Sequence, residues 1–540
     1  MSVFFNYDNP ICNEGNSPSV FSFDPSILSL KELLLCELKH LAYYIVKLSD
    51  LEIDTRQIRD KIIQYISLVF VNLDFKRDEF KEIIEEIKHD RMELEKSYYG
   101  VCKQRGSTFQ PLKPSYDLKS GSFDIISAIN EGEKQAILKN TILSENKKTL
   151  YEVMMSIIKN ACLHLVEIEN YGEDCSDSKD AVITLLNTTN FPTTPDEKWL
   201  AKINDFNKVS LKIMAQLRNI FSNNYGGIEE HEVNLDLKEG PAILVSGHFI
   251  KDLEEVLKAT QNEDIKVYTH NEMLIAHSLK GIQSYPNLTG HFRRGANNIQ
   301  MDFASFPGAI LISKNSQPNI EIIRGRIFTS DQHTSFGMSK IENNDFGPLI
   351  QAAKESRGFK EDKPIGSLKV GYNKEKVLEK INEIISKIKD GSIKHLFIID
   401  LISQFPTKDN YIESLIENIP DDCFTISLSF NKEKSNVWHL DSFYGYSLAY
   451  MIFDKLIENL NEDELKKVSV FLTQCNMQTI SHILNIKTLG INSIYLGNCC
   501  PTAVNPSLIK GLNDIFNVKY MKGNPKDDLH KILKQNGYES

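Results

Sequence analysis

Cysteines are few in this sequence, and no two of them form a CxxC pair. Nine cysteines are scattered over 540 residues, and an odd, scattered set argues against a disulfide framework. Cys499 and Cys500 are adjacent, so their side chains do not readily face one metal ion, and a structural role is the favoured interpretation. We therefore predict buried or surface thiols in a reducing compartment.

Long apolar runs and an excess of positive charge are also missing. No stretch reaches the roughly 20 apolar residues of a transmembrane helix, and the first residues, MSVFFNYDNPICNEG, lack the cationic flank and apolar core of a secretory signal. The net charge of −11 argues against a nucleic-acid-binding surface, because phosphate binding needs clustered Lys and Arg. These absences predict a cytoplasmic protein that binds neither nucleic acid nor membrane.

Signatures of several common enzyme classes are absent as well. The sequence contains no GxSxG, no Walker loop and no GxGxxG. Hydrolase, NTPase and dinucleotide-binding interpretations therefore lack support from motifs.

The first part of the chain has a helical pattern. Its apolar residues recur at three- and four-residue steps, which is typical of amphipathic helices, in segments 29–48, 75–100, 149–170 and 200–221. The many charged residues of 75–100 are interpreted as a solvated helix face. The pattern predicts a helical domain of the three-helix-bundle type over residues 1–225.

From about residue 238, short apolar runs alternate with amphipathic helices. The predicted strands are 242–247, 265–270, 309–313, 326–330, 395–401, 424–430, 468–473 and 493–497. Strands that are apolar throughout and joined by helices imply parallel sheets covered on both faces. A helix at 374–390 separates two such sets. The predicted fold class is α/β with a helical N-terminal domain, followed by two Rossmann-like, doubly wound parallel-sheet domains over 226–375 and 376–540.

Polar side chains follow the first two predicted strands. His248 comes just after the first strand and Glu272 just after the second, so both are expected at the crevice beyond the carboxyl ends of the sheet. An imidazole and a carboxylate in that place are suited to bind a metal or to share a proton. From spacing alone, a buried His–Glu pair with a structural role is the favoured alternative. A metal site that adds His270 and His277 is disfavoured, because these side chains diverge.

Two stretches of the sequence are long and specific: SGHFIKDLEE within 239–260 and YTHNEMLIAH within 267–277. Further blocks follow them at 285–292, 303–315, 325–330, 395–400, 489–518 and 527–533. In order and spacing, these stretches together resemble the hybrid-cluster protein family, also called the prismane or hydroxylamine reductase family. The resemblance implies a helical domain and two Rossmann-like domains. It also implies a cubane iron–sulfur cluster near the amino terminus, a mixed iron–sulfur–oxygen cluster where the domains meet, and reduction of hydroxylamine or nitric oxide.

The resemblance also assigns ligands to the mixed cluster. Its histidine ligand falls on His248 and its first carboxylate on Glu272, and both are present. The other positions are substituted: family cysteines fall at Ser316, near Ile402 and at Phe430, and the second glutamate falls near Asn476. A further family cysteine has no counterpart in LDSFYGYSL (440–448).

The amino-terminal cluster site looks equally depleted. The family's CxxC becomes Val3–Asn6, a later cysteine falls near Phe21, and only Cys12 remains there. Thiolates hold iron–sulfur clusters, and Ile and Phe have no lone pair to offer. The substitutions therefore predict a vestigial site that binds no metal and no cofactor, with Cys475 left open as a displaced ligand.

Three functions stay open at this point, and so does the question of whether the chain is an enzyme. The favoured one is a non-catalytic paralogue that keeps the fold, has lost its clusters and acts beside an unidentified protein partner, for which an active relative is one candidate. The second is an active reductase of hydroxylamine or nitric oxide with altered cluster ligation. The third is a protein that reuses the cavity for a small ligand, with His248 as acid or base and Glu272 as its orienter.

Overall fold

The structure is a computed structural model of the chain. It describes residues 25–70, 77–112, 124–135, 142–292, 299–314, 316, 325–331, 334, 337–399, 410–427, 434–440, 445–472, 477–496, 506–521 and 523–538. These residues form two compact units, one with 25–217 and 314–340 and the other with 218–313 and 341–538. None of the helices in these ranges combines the length and the apolar character needed to cross a membrane.

The described residues of the first part of the chain are mainly helical, as its periodicity predicts. The helices are α1 (Pro25–Ser49), α2 (Arg56–Phe70), α3 (Arg77–Arg105), α4 (Ile125–Gln135), α5 (Glu145–Asn170), α6 (Ser176–Thr188) and α7 (Asp196–Tyr225). The stripe of Leu34, Leu41 and Leu48 in α1 is fully buried, and each such side chain contributes roughly 1.5–3 kcal/mol by leaving water. Helix α5 begins where the Ser144 side chain accepts the backbone N–H of Lys147.

The first large sheet follows a short strand, β1 (His231–Asn234). Its strands are β2 (Ala242–Ser246), β3 (Lys266–His270), β4 (Leu288–His291), β5 (Ala309–Ile312), β6 (Ile327–Thr329) and β7 (Ser339–Lys340). The intervening helices are α8 (Ile250–Thr260), a 3-10 helix (Asn271–Ser278), α9 (Lys280–Gln283) and α10 (Ile299–Ser305). The parallel order β4-β3-β2-β5-β6-β7 reverses its winding between β2 and β5. That reversal is the point where doubly wound sheets bind ligands.

The second large sheet repeats this topology. Before it come α11 (Gly347–Glu355), β8 (Ser367–Val370), which pairs antiparallel with β1, and α12 (Lys374–Lys389). Its strands are β9 (His395–Ile399), β10 (Cys423–Ser427), β11 (Val437–His439), β12 (Val468–Leu472), β13 (Ser493–Leu496) and β14 (Val518–Tyr520). Its helices are α13 (Asn410–Glu417), α14 (Gly445–Asn459), α15 (Glu462–Leu465), α16 (Met477–Thr488), α17 (Pro506–Phe516) and α18 (Pro525–Gln535).

Its parallel strand order is β11-β10-β9-β12-β13-β14, with the reversal between β9 and β12. Every residue of β9 and β12 is buried, and apart from His395 and Ser469 both strands are apolar. The predicted fold class, a helical first part followed by two doubly wound α/β sheets, is confirmed. The division of the chain at residues 225 and 375 stays a prediction.

One charged residue of segment 75–100 is buried, contrary to the expected solvated face. Arg91 donates from Nε to Glu37 Oε2 at 2.8 Å, and the two side chains are 7% and 0% exposed. Arg91 lies four residues from Ile87 and seven from both Ile84 and Tyr98, which belong to the apolar stripe of α3, so helical geometry turns it inward with them. Burial raises the pKa of Glu37, and the Arg91 guanidinium opposes that rise.

Candidate functional site

The carboxyl ends of β2 and β3 carry the two residues singled out from the sequence. The final residues of these strands are opposite each other in the parallel register, and His248 and Glu272 each follow two positions later. Gly247 (φ 127°) and Asn271 (φ 59°) turn the chain in between, and positive φ is the region that glycine adopts freely and asparagine tolerates. The structure thus brings His248 and Glu272, both half-buried, to one edge of the sheet.

A serine on the neighbouring strand holds the backbone of His248. Ser313 directly follows β5 and is buried, and its Oγ accepts the N–H groups of His248 at 3.1 Å and Phe249 at 3.3 Å. The His248 ring packs edge-on against the Phe249 ring, with centroids 5.2 Å apart. His248 therefore lies where the winding of the sheet reverses, which is the general ligand position of doubly wound folds.

Of the other predicted ligand positions, the structure describes Ser316. Ser316 is half-buried in the other compact unit, and its hydroxyl donates to the backbone carbonyl of Lys314 at 3.2 Å. Several predicted positions lie outside the described residues: Ile402, Phe430, Asn476, Cys475, Cys499, Cys500 and the amino-terminal Val3–Asn6, Cys12 and Phe21.

A hydrogen-bonded chain that sequence reasoning missed ties these strand ends to α10. Ser246 Oγ lies 2.8 Å from His270 Nδ1, and His270 Nε2 lies 3.3 Å from Asp302 Oδ2. The three residues are 4%, 2% and 5% exposed, so the serine hydroxyl is not open to a substrate as a hydrolase nucleophile would be. Because His270 directly precedes the turn to Glu272, its hydrogen bonds to Ser246 and Asp302 hold that turn against β2 and α10.

Thr269 joins two further buried histidines. Its Oγ1 lies 2.7 Å from His277 Nε2 and 2.8 Å from His291 Nδ1. His277 also bonds the backbone carbonyl of Gly290, which takes its Nδ1–H and leaves Nε2 as an acceptor. The threonine hydroxyl therefore donates to His277 and accepts the Nδ1–H of His291. The Nε2 of His291 is left as a buried acceptor without a hydrogen-bond partner.

Both imidazoles of this threonine-centred pair are held neutral. Burial, reinforced by His231, lowers the pKa of His277 to about 3, and the Gly290 carbonyl opposes the shift only in part. Burial, with help from His277 and His270, places the pKa of His291 well below its usual value. The pair is thus a set of fixed hydrogen-bond partners at neutral pH. The shared threonine is a contact that the spacing of His277 and His291 in the sequence does not show.

We expect Thr269→Val to lower the free energy of unfolding by about 2 kcal/mol, because the nearly isosteric valine removes the donor to His277 and the acceptor for His291. Thr269→Ser is the matched control, since it keeps the hydroxyl and loses one methyl group. Urea unfolding followed by circular dichroism checks the difference between the two variants. Equal losses would show that the hydroxyl contributes nothing.

The donors within the described residues are too few for a multi-iron centre. His248 offers a nitrogen and Glu272 a carboxylate, but no three His, Cys, Asp or Glu side chains converge anywhere in the described ranges. The cysteines of those ranges are buried free thiols: Cys36, Cys102, Cys162, Cys175 and Cys423. Because thiolates hold iron–sulfur clusters, this part of the chain by itself does not fit one.

Comparison with known proteins covers most of the chain. The model of the Prismane/CO dehydrogenase family matches residues 22–441. A hydroxylamine reductase of Thermodesulfovibrio yellowstonii is 26% identical over 534 residues, which span 94% of this chain and 96% of the relative. A hydroxylamine reductase of Moorella thermoacetica is 30% identical over 374 residues, which span 66% of this chain and 85% of the relative.

Among solved structures, the chain is similar to one described as "NiZn[Fe4S4] and NiNi[Fe4S4] clusters in closed and open alpha subunits of acetyl-CoA synthase/carbon monoxide dehydrogenase". The TM-score is 0.46 and the identity 11%, over 95% of this chain and 83% of the other. Agreement at this level carries no conclusion about function.

The expectation that the chain binds no cofactor is wrong. The family match and the hydroxylamine reductase relatives point to iron–sulfur cofactors, which the substitutions at Ser316, Ile402, Phe430 and Asn476 alone do not exclude. The expectation rested on single ligand positions, whereas the match extends over residues 22–441. By the extent of that match, the chain belongs to the Prismane/CO dehydrogenase family.

Proposed function

We propose that the chain is an oxidoreductase of the hydroxylamine reductase type, with an iron–sulfur cofactor held by an altered ligand set. The observation that carries the proposal is the alignment with hydroxylamine reductases over 94% of the chain. His248 and Glu272 at the reversal of the sheet add to it. A cytoplasmic location is part of the proposal, since buried free cysteines suit a reducing compartment.

Reduction of hydroxylamine breaks the N–O bond, consumes two electrons and two protons, and yields ammonia and water. The cofactor, when bound, supplies the electrons. In the proposal, the half-buried Glu272 carboxyl delivers a proton to the departing oxygen, because its turn lies at the open edge of the sheet. Ser313 and the Ser246–His270–Asp302 chain act behind it by fixing the backbone of His248 and the turn to Glu272.

The test uses the full-length protein purified without oxygen. Iron per chain is measured by mass spectrometry, and hydroxylamine is added with reduced methyl viologen while ammonium is assayed. We expect several iron atoms per chain and ammonium formation that depends on the protein. Protein that retains iron, is folded and forms no ammonium would refute the proposed activity.

Replacing Glu272 with Gln is expected to lower kcat by about a hundredfold, because the variant keeps the shape of the side chain and loses its transferable proton. Glu255→Gln on α8 is the matched control and should leave kcat unchanged. Iron content is measured on the same samples, so a variant that loses the cofactor is separated from one that loses only proton delivery. An unchanged kcat in iron-loaded Glu272→Gln would remove Glu272 from the proposed mechanism.

A second candidate is a non-catalytic relative that acts through a protein partner. It is supported by the apolar side chains at Ile402 and Phe430, where the resemblance places sulfur ligands. An active member of the family is the partner we propose in that case. The same assay distinguishes the two candidates, since the non-catalytic relative forms no ammonium at any iron content.

A further inference from the structure

A cavity of about 490 Å³ lies beside the first sheet and is lined by neither His248 nor Glu272. Its volume falls within the range of small-molecule sites, roughly 300–1,000 Å³. The residues around it all belong to one compact unit: Leu235, Leu237, Phe292, Ser305, Phe359, Lys363, Ile365, Gly366 and Ser367. The lining is mainly apolar and includes one charged group, the Lys363 ammonium.

One wall of the cavity is an antiparallel ribbon that continues from the β1–β8 pair. Leu237 and Lys363 exchange both of their backbone hydrogen bonds, at 3.0 and 2.9 Å. Where the ribbon turns, Asp236 Oδ1 accepts the backbone N–H groups of Ile365 and Gly366 at 2.7 and 2.9 Å. These bonds hold the wall in place through the backbone, so the cavity does not depend on a ligand for its shape.

Aromatic rings form the opposite side. Phe292 and Phe359 line the cavity, and Phe306 packs edge-on against both, with centroid distances of 5.1 and 5.5 Å. Tyr268 supports Phe359 from behind at 5.6 Å, and its hydroxyl accepts the backbone N–H of Lys238 in the ribbon. Rings fixed in this way offer a rigid apolar surface to a ligand.

Among the lining residues that the structure describes, the one cation is Lys363. Lys238 is paired with Asp362 at 2.9 Å, and the Glu232 carboxylate accepts the hydroxyl of Ser367. Lys363 is exposed and forms no ion pair with any residue that the structure describes. Ile365, at the rim, exposes 55% of its surface, so apolar area and the free ammonium face solvent together.

We propose that this cavity binds a small amphipathic monocarboxylate, with its apolar part on Phe292 and Phe359 and its carboxylate at the Lys363 ammonium. The proposal does not rest on the reductase function, because no lining residue belongs to the His248–Glu272 edge.

Isothermal titration calorimetry with three probes of one length tests the proposal: 4-phenylbutyrate, neutral 4-phenylbutanol and cationic 4-phenylbutylamine. The full chain should bind the carboxylate saturably and about two- to fivefold more tightly than the alcohol, the range of an exposed ion pair. Lys363→Met should make the acid and the alcohol bind equally, and the neighbouring Lys360→Met should change nothing. Leu237→Trp, which fills the cavity, should abolish binding of all three.

Ile365→Asp provides a variant whose folding is not in question, because the side chain is exposed. The variant places a carboxylate at the rim, so it should weaken the binding of 4-phenylbutyrate and strengthen the binding of 4-phenylbutylamine. Ile142→Asp, at an exposed isoleucine in the other unit, should change neither. The proposal is overturned if 4-phenylbutyrate gives no saturable binding, if the alcohol binds the original chain as tightly as the acid, or if Lys363→Met and Ile365→Asp leave the preference unaltered.

Discussion

Arg91→Met is expected to destabilise the helical unit by about 3–5 kcal/mol, which is the usual cost of leaving one partner of a buried ion pair uncompensated. Glu37 is fully buried, its Oε1 has no hydrogen-bond partner, and Arg91 Nε is the charged donor to its Oε2. Methionine keeps most of the apolar stem of arginine and removes only the guanidinium. The loss therefore reports on charge compensation and not on a new cavity.

Fluorescence of Trp199, which is buried in this unit, measures the effect during urea unfolding once the other tryptophan is removed by Trp438→Phe. Arg105→Met at the exposed end of α3 is the matched control and should cost less than about 0.5 kcal/mol. Glu37→Leu combined with Arg91→Met should recover most of the loss, because no buried charge remains. If the double variant is as unstable as Arg91→Met alone, packing and not charge explains the loss.

The penalty of Arg91→Met should also depend on pH. Burial raises the pKa of Glu37 and Arg91 lowers it, so removing Arg91 raises it further. A carboxyl whose pKa is higher in the folded state than in the unfolded state destabilises the fold at pH values above its unfolded-state pKa. The effect disappears once the pH is low enough to protonate the carboxyl in the folded state. The difference between variant and original chain should therefore shrink by up to about 1.4 kcal/mol for each pH unit of acidification toward pH 5.

The fold was largely predictable because its strands are mainly apolar. Strands such as His395–Ile399 and Val468–Leu472 are buried along their whole length, and such runs between helices are conspicuous in a sequence. The β1–β8 ribbon was missed for the opposite reason. Val233 and Val370 are the only buried residues of its two strands, so neither strand shows an apolar run.

The site was predictable only where neighbouring strands determine it. Parallel register explains why His248 and Glu272 reach one edge, and it would also have predicted the contact between Ser246 and His270. Asp302 could not have been foreseen, because it reaches His270 from a helix 32 residues further along the chain. Arg91 was placed on a solvated face because charge dominates its segment, although its helical position coincides with the apolar stripe.

Acidification from pH 7.5 to 5.5 is expected to cost the original chain about 4 kcal/mol through His40, His277 and His395 alone. The lowered pKa values of His164 and His291 add to that cost. The pKa values of His40, His277 and His395 are each lowered to about 3, chiefly by burial. A histidine whose pKa is lowered in the folded state makes its full contribution to stability at pH values above its unfolded-state pKa of 6.5. That contribution is lost progressively as the pH falls toward the folded-state pKa of about 3. Each group then accounts for about 1.4 kcal/mol at pH 5.5.

Glutamine at positions 277 and 395 isolates this effect, because its amide does not titrate, its oxygen can accept the Thr269 hydroxyl at position 277, and it can hydrogen-bond Ser469 Oγ at position 395. His277→Gln and His395→Gln should each reduce the difference in unfolding free energy between pH 7.5 and 5.5 by about 1.4 kcal/mol, whatever they cost at pH 7.5. His277 lies in the 3-10 helix Asn271–Ser278 and His395 lies in β9, and the two share no contact partner, so the double variant should lose twice that amount. His89→Gln, where the histidine side chain is 74% exposed, should leave the difference intact. Urea unfolding at the two pH values measures the original chain and all four variants. An undiminished difference in both single variants would mean that these imidazoles already carry protons in the folded chain.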